Sequence, residues 1–169
     1  MKTYKDKIKT IDMKIAVARY INFSQHLIVP NVSFGMGFRH ELDMLVLTNS
    51  GYLWEVEIKV SLADLKKDKD KWHGHHSSMI KDFYFAIPSC LVPHTAHIPE
   101  RAGILVVSRN ASGRIYCSKI RKPKTNRAAP QMTDRQRYKL ARLGVIRLWT
   151  VKKKLRKTEK QMALWEESE

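Results

Sequence analysis

Asp43-Met44-Leu45-Val46-Leu47-Thr48-Asn49-Ser50-Gly51-Tyr52-Leu53-Trp54-Glu55-Val56-Glu57-Ile58-Lys59 holds two apolar runs around a short polar turn that ends in glycine. Turn residues between two such runs predict a hairpin, with strands at Glu41–Thr48 and Tyr52–Val60. Side chains alternate faces along a strand. Trp54, Val56 and Ile58 therefore point into a core, and Glu55, Glu57 and Lys59 point the other way. If Asn49, Ser50 and Gly51 form a three-residue loop, Thr48 pairs with Tyr52 and the residue numbers of antiparallel partners add to 100. Asp43 then stands opposite Glu57, with Cβ atoms about 4.5–5.5 Å apart, and Lys59 faces Glu41. Like charges placed opposite each other are destabilising, so a cation is required. Lys59 is one, and a divalent metal held by hard oxygen ligands is a stronger one. Two carboxylates and a lysine are the equipment for metal-dependent phosphodiester hydrolysis. The wet face of a surface hairpin would show the same alternation, so strand patterning alone leaves both explanations open.

Outward from the hairpin, Lys7 to Tyr20 has helical apolar spacing through Ile8, Ile11 and Ile15. His26–Pro30 reads as a short strand, and residues 31–37 as a loop or second strand. Ser61 caps a helix running from Leu62 to about Trp72, with Asp64 completing a capping box. Asp82–Ile87, Ala102–Val107 and Arg114–Ser118 are further strands, the last two joined by the turn Asn110–Gly113. Lys119–Pro130 is basic and contains proline, as a linker would. Thr133 with Gln136 opens a helix whose spacing continues through Leu140, Leu143, Val151, Leu155, Met162 and Trp165, with Gly144 a candidate break or kink. The expected architecture is α/β: a core over residues 1–120, then a basic linker and helical extension over 121–169.

The chain has 169 residues, 32 Lys+Arg and 16 Asp+Glu, a net charge of +16. Residues 1–60 carry +2, residues 61–100 are balanced, and residues 101–169 carry +14. Such one-sided charge suggests a polyanion, most often nucleic acid, with DNA the expected partner. Arg39 and His40 beside the acidic pair, and Lys122, Lys124, Arg135, Arg137, Lys139 and Arg142 in the basic third, are the candidate phosphate contacts. A solvated helix surface is the competing explanation for the last four. No apolar run is long enough to span a membrane, and Met1–Asp6 lacks the apolar centre of a signal peptide. Only Cys90 and Cys117 occur, which argues for a reducing compartment such as the cytoplasm. The histidines at 73, 75, 76, 94 and 97, with Cys90, match no zinc spacing. The apolar spacing of the C-terminal helix suits either packing on its own domain or pairing with a second chain as a homodimer.

Asp43, thirteen residues, then Glu57-Ile58-Lys59 resembles the D-x(n)-E-x-K signature of the PD-(D/E)XK nuclease superfamily. Trp54 to Leu65, Asp68 to Trp72 and Asp82-Phe83-Tyr84-Phe85-Ala86-Ile87-Pro88 together resemble its MmcB-like branch, described as DNA-repair proteins. Ile98 to Ile104 is similar to the step that follows there, and the resemblance covers about Ile8 to Ser118. It implies a restriction-endonuclease-like mixed sheet flanked by helices and a DNA nuclease using Mg²⁺ or Mn²⁺. It further implies Asp43, Glu57 and the main-chain carbonyl of Ile58 as metal ligands, and Lys59 as the catalytic lysine. The chain departs from the pattern in two places. Leu42 replaces the proline of the superfamily's name, and the first forty residues contain no Glu, leaving Asp12 as the acid on the first helix. A non-catalytic DNA-binding module on the same fold is the alternative function, and an RNA-directed protein a third.

Overall fold

In the computed structural model, which describes residues 8–33, 37–38, 40–67 and 77–166, the order of elements follows from alternating patches of helical and strand periodicity. Helix α1 (Thr10–Ile21) precedes β1 (Leu27–Val32), β2 (Leu42–Leu47) and β3 (Leu53–Ile58); α2 (Leu62–Lys67) follows, then β4 (Ile80–Pro88). A stretch of 3-10 turns, Ser89–His97, leads into β5 (Gly103–Arg109), β6 (Ile115–Arg121) and α3 (Asp134–Glu166). The strands form one mixed sheet in the order β1-β2-β3-β4-β5-β6. β3, β4 and β5 run parallel in the middle, and the pairings outside them are antiparallel. Pro30 sits in the edge strand β1, where the missing N–H costs no ladder bond on the open side.

The hairpin register is the one that the turn dictates. Met44 pairs with Val56, Leu45 with Glu55 and Leu47 with Leu53, so partner numbers add to 100. Gly51 closes the turn at φ 82°, a left-handed conformation that glycine adopts without steric cost.

Two apolar layers form on the two sheet faces. On one, Met13, Ala16, Val17 and Ile21 of α1 cover Met44, Val46, Val56, Ile58, Tyr84, Ala86, Leu105 and Val107. On the other, Leu45, Leu53, Phe83, Phe85, Ile104 and Val106 pack with Leu65, Leu91, Ile98, Met132 and Leu140. Each fully buried Leu or Phe contributes about 1.5–3 kcal/mol, so a sheet covered on both sides is the main source of stability. It also explains the nearly unbroken apolar run of β4, because a central strand is buried on both faces.

Residues 122–133 lie along the domain. The Lys124 N–H donates to the Arg101 carbonyl, the Asn126 N–H to the Lys81 carbonyl and the Met132 N–H to the Gly51 carbonyl. These contacts follow the ends at which β5, β4 and β3 begin, called here the turn end. Thr133 and Gln136 then cap α3 as the spacing predicts: the Thr133 N–H donates to Gln136 Oε1 at 2.9 Å and the Gln136 N–H to Thr133 Oγ1 at 3.3 Å.

Helix α3 does not break at Gly144; it is continuous for 33 residues, about 50 Å at 1.5 Å per residue. Gly144 lies against Val29, so the missing side chain serves close helix–strand approach. From Gly51 at the turn end, α3 climbs β1 past Val29, and Arg147 donates to the Asn31 carbonyl at 2.6 Å. From Leu148 to Ala163 every side chain is exposed. The second helix is described from Leu62 to Lys67; the rest of its expected span, to Trp72, lies outside the described residues, as do residues 68–76 including His73, His75 and His76.

Candidate active site

At the opposite end of the sheet, where β3 finishes, the hairpin opens. The β2–β3 pairing stops at Met44 and Val56. The next N–H on that edge of β3, from Ile58, donates to Asp43 Oδ2 at 3.0 Å, so a side chain takes the place of a ladder carbonyl. A strand residue's N–H and C=O face the same neighbour. The Ile58 carbonyl therefore opens on the Asp43 side, while Lys59 turns its N–H to the Ala86 carbonyl at 3.0 Å. Continuing the register sets Asp43 across from Glu57.

The charged side of β3 is not a wet hairpin face. Glu55 is 1 %, Glu57 6 % and Lys59 3 % exposed. An isolated buried charge costs several kcal/mol, so buried charges are paired. Lys59 Nζ lies 3.3 Å from Glu57 Oε1, and Glu55 Oε1 lies 3.4 Å from His40 Nε2. Arg101, whose guanidinium lies 5.3 Å from the Phe83 ring centre, also feels Glu55. Burial lowers the Arg101 pKa, and the Glu55 charge pulls it partly back.

Asp43 is the accessible member of the group, with 29 % of its side chain exposed. Lys14 of α1 reaches its Oδ1 at 3.2 Å and also donates to Asn31 Oδ1 at 3.2 Å. Asn31, at φ 54°, is skipped in the β1–β2 register and donates to Glu41 Oε1 at 3.1 Å. Glu41 is thus exposed and bonded to Asn31. A chain of polar contacts runs from Arg147 on α3 through Asn31 and Lys14 to Asp43. Lys14, Asn31 and Arg147 were not among the residues singled out in the sequence, because no spacing rule links positions 14, 31 and 147 to 43.

Two carboxylates and one main-chain carbonyl do not make a closed protein cage for a metal. Among the described residues no three His, Cys, Asp or Glu side chains gather as a metal site. The donor set fits a hard cation that keeps several waters and takes further oxygens from a phosphate, which is how Mg²⁺ is usually held.

The basic candidates divide between the two ends of the sheet. His40 belongs to the site end; Arg39 lies outside the described residues. Lys122, Lys124, Arg135 and Arg137 are at the turn end, away from Asp43. Lys124 pairs with Glu100 at 2.8 Å, which holds the Glu100 carboxyl below its ordinary range. Arg137 donates to the Met132 carbonyl at 3.0 Å, fastening the start of α3. Lys139 and Arg142 are exposed part-way along α3. The cations beyond Arg147, namely Lys152, Lys153, Lys154, Arg156, Lys157 and Lys160, lie on the part of α3 that passes the site end.

A DNA repair family model, MmcB-like, matches residues 3–154. The chain belongs to the MmcB-like DNA repair protein family. The match extends beyond the strands and covers the first half of α3, and membership points to a DNA-related role for this MmcB-like protein. A solved structure from Silicibacter pomeroyi, described as the SPO1766 protein of unknown function, is similar in fold. It has a TM-score of 0.56 and 20 % identity, over 87 % of this chain and 90 % of that one. No curated protein matches the chain in sequence. Among the described residues no helix is long and apolar enough to cross a membrane.

Proposed function

We propose that this MmcB-like protein is a metal-dependent DNA nuclease of PD-(D/E)XK type, with its site at Asp43, Glu57, Ile58 and Lys59. The observation that carries this reading is the burial of Glu55, Glu57 and Lys59 at the point where the hairpin opens on Asp43. A protein with no use for this charge gains more from apolar side chains in a sheet covered on both faces. Asp43, Glu57 and the Ile58 carbonyl would hold Mg²⁺ or Mn²⁺. When bound, the ion would supply Lewis-acid polarisation of a scissile phosphate and a water of lowered pKa. Lys59 holds a positive charge beside Glu57, suited to offsetting charge that develops on phosphate oxygens. Lys14 orients Asp43, and the basic stretch of α3 beyond the site end grips the DNA backbone.

The test is cleavage of a panel of duplex, nicked, flapped, branched and single-stranded DNA, with and without Mg²⁺, beside matched RNA. Asp43→Asn is the informative variant, since Asp43 is partly exposed. Loss of a metal ligand should lower cleavage at least about a hundredfold, given that outer-shell partners alone cost 10–100-fold. Wild-type rates in that variant would remove Asp43 from the site. The proximity of Lys14 to Asp43 favours a second reading, in which two lysines neutralise the two carboxylates permanently and the protein binds DNA without cutting it. Calorimetric titration with Mg²⁺ and Mn²⁺ separates the two, because a module of that kind takes up neither ion.

A further inference from the structure

From Leu148 to Ala163, α3 stands clear of its own domain, yet its side chains are sorted as they would be at an interface. Leu148, Val151, Leu155 and Met162 are 53–61 % exposed. With Thr158 they fall at the alternating spacings of three and four residues that draw one stripe down a helix. Lys153, Arg156, Lys157 and Lys160 project from the opposite side, together with Trp149, whose ring centre lies 5.4 Å from Lys152 Nζ. Only Lys152 and Glu159 flank one edge of the stripe, and Lys154 and Gln161 the other.

We propose that this stripe pairs antiparallel with the same stripe of a second copy of the chain. Orientation follows from where the stripe lies. Leu140, Gly144 and Arg147, which meet the domain, lie on the same side of α3 as Val151, Leu155 and Met162. A parallel partner would bring its own domain into the space that the first domain fills. An antiparallel partner runs only along the free part of the helix. Setting Leu155 across from Thr158 of the second copy sets Val151 across from Met162, and this register overlaps the free segments fully. It also places Lys152 beside Glu159 of the second copy, twice by symmetry, and Lys154 beside Gln161. The flanks thus meet as opposite charges or as charge with amide, never as two lysines. The remaining lysines and arginine stay on the outside, where their mutual repulsion is screened within about 8 Å at physiological salt and their side chains remain free for phosphate. The site ends of the two sheets then face each other across the paired helices.

Sedimentation of the full chain over a range of concentrations tests this. A reversible shift from 19.7 kDa to twice that mass is expected. Leu155→Glu should abolish it, with the circular dichroism spectrum and melting temperature of the dilute, unpaired chain kept. Lys152→Glu alone should weaken association at least tenfold, and Lys152→Glu with Glu159→Lys should restore it, since the exchange keeps the net charge. With Cys90 replaced by serine, a V151C chain should cross-link with an M162C chain and not with itself. A chain that stays at 19.7 kDa and changes mass only when DNA is added, a dimer indifferent to Leu155→Glu, or self-cross-linking of V151C would each overturn the proposal.

Discussion

Lys59 and Glu57 stand 3.3 Å apart with almost no solvent around either, so replacing one takes a close opposite charge away from a buried group. Lys59→Met should cost about 3–5 kcal/mol in chemical denaturation, the usual loss when one member of a buried pair is removed. Lys59→Met with Glu57→Leu should recover most of it. Glu57→Ala and Lys59→Ala therefore cannot be expected to leave the fold intact, which is why Asp43→Asn is the cleaner probe of activity. The cysteines offer a second residue-scale check. Burial pushes the Cys117 thiol up to about 12, whereas Cys90 is exposed. A thiol reagent at pH 8 should modify Cys90 within minutes, and Cys117 far more slowly. Equal labelling of both would contradict the packing of β6. The opposition of Asp43 and Glu57, and the shared face of Glu57 and Lys59, were legible from type and spacing. Lys14 was not, because an ion pair between a helix and a strand 29 positions away leaves no mark on either segment's own pattern.

At the scale of elements, the β2–β3 hairpin was readable to the residue. A three-residue turn fixes the pairing, and the pairing fixes which side chains oppose. Gly51→Ala tests that turn. An alanine held at φ 82° costs about 1–2 kcal/mol, and its Cβ would press on the Arg137 guanidinium. The denaturation midpoint should fall accordingly, with the Arg137–Met132 contact loosened as well. Helix α3 was readable at its start, through Thr133 and Gln136. At Gly144, propensity suggested a break that packing overrides: glycine is disfavoured inside a helix, but here it lets the helix close on Val29. The 3-10 stretch Ser89–His97, interrupted by Pro93, has no regular apolar period and gave no helical signal.

For the whole molecule, the consequence of α3's path is where its positive charge ends up. The sequence places +14 in residues 101–169 and reads 121–169 as a basic linker and helical extension outside the core. Met132 and Leu140 belong to the core, so a chain ending at Pro130 loses two buried side chains and should not fold stably. A chain ending at Arg147 loses none among the described residues; at concentrations too low for pairing, its stability should change by no more than about 0.5 kcal/mol, as for surface changes in general. If the free part of α3 grips DNA, the slope of log K against log salt for that shortened chain should fall by about 0.9 for each phosphate no longer neutralised. An unchanged slope would place the grip on Lys139, Arg142 or the turn end instead.

By itself the sequence determined the α/β class, the hairpin and its register, the alternation that puts Glu55, Glu57 and Lys59 on one face, and the excess of positive charge near the C-terminus. These depend on neighbours along the chain or across one short turn, where periods of 2 and 3.6 and turn chemistry suffice. Only the tertiary structure decided that the charged face is buried rather than wet, that Lys14 stands on Asp43, and that α3 carries its lysines past the site end while Lys122, Lys124, Arg135 and Arg137 stay at the other. Each of those depends on which layer covers which face and in which direction a helix crosses the sheet. A strand's alternation says that two faces differ; it does not say what will be packed against either one.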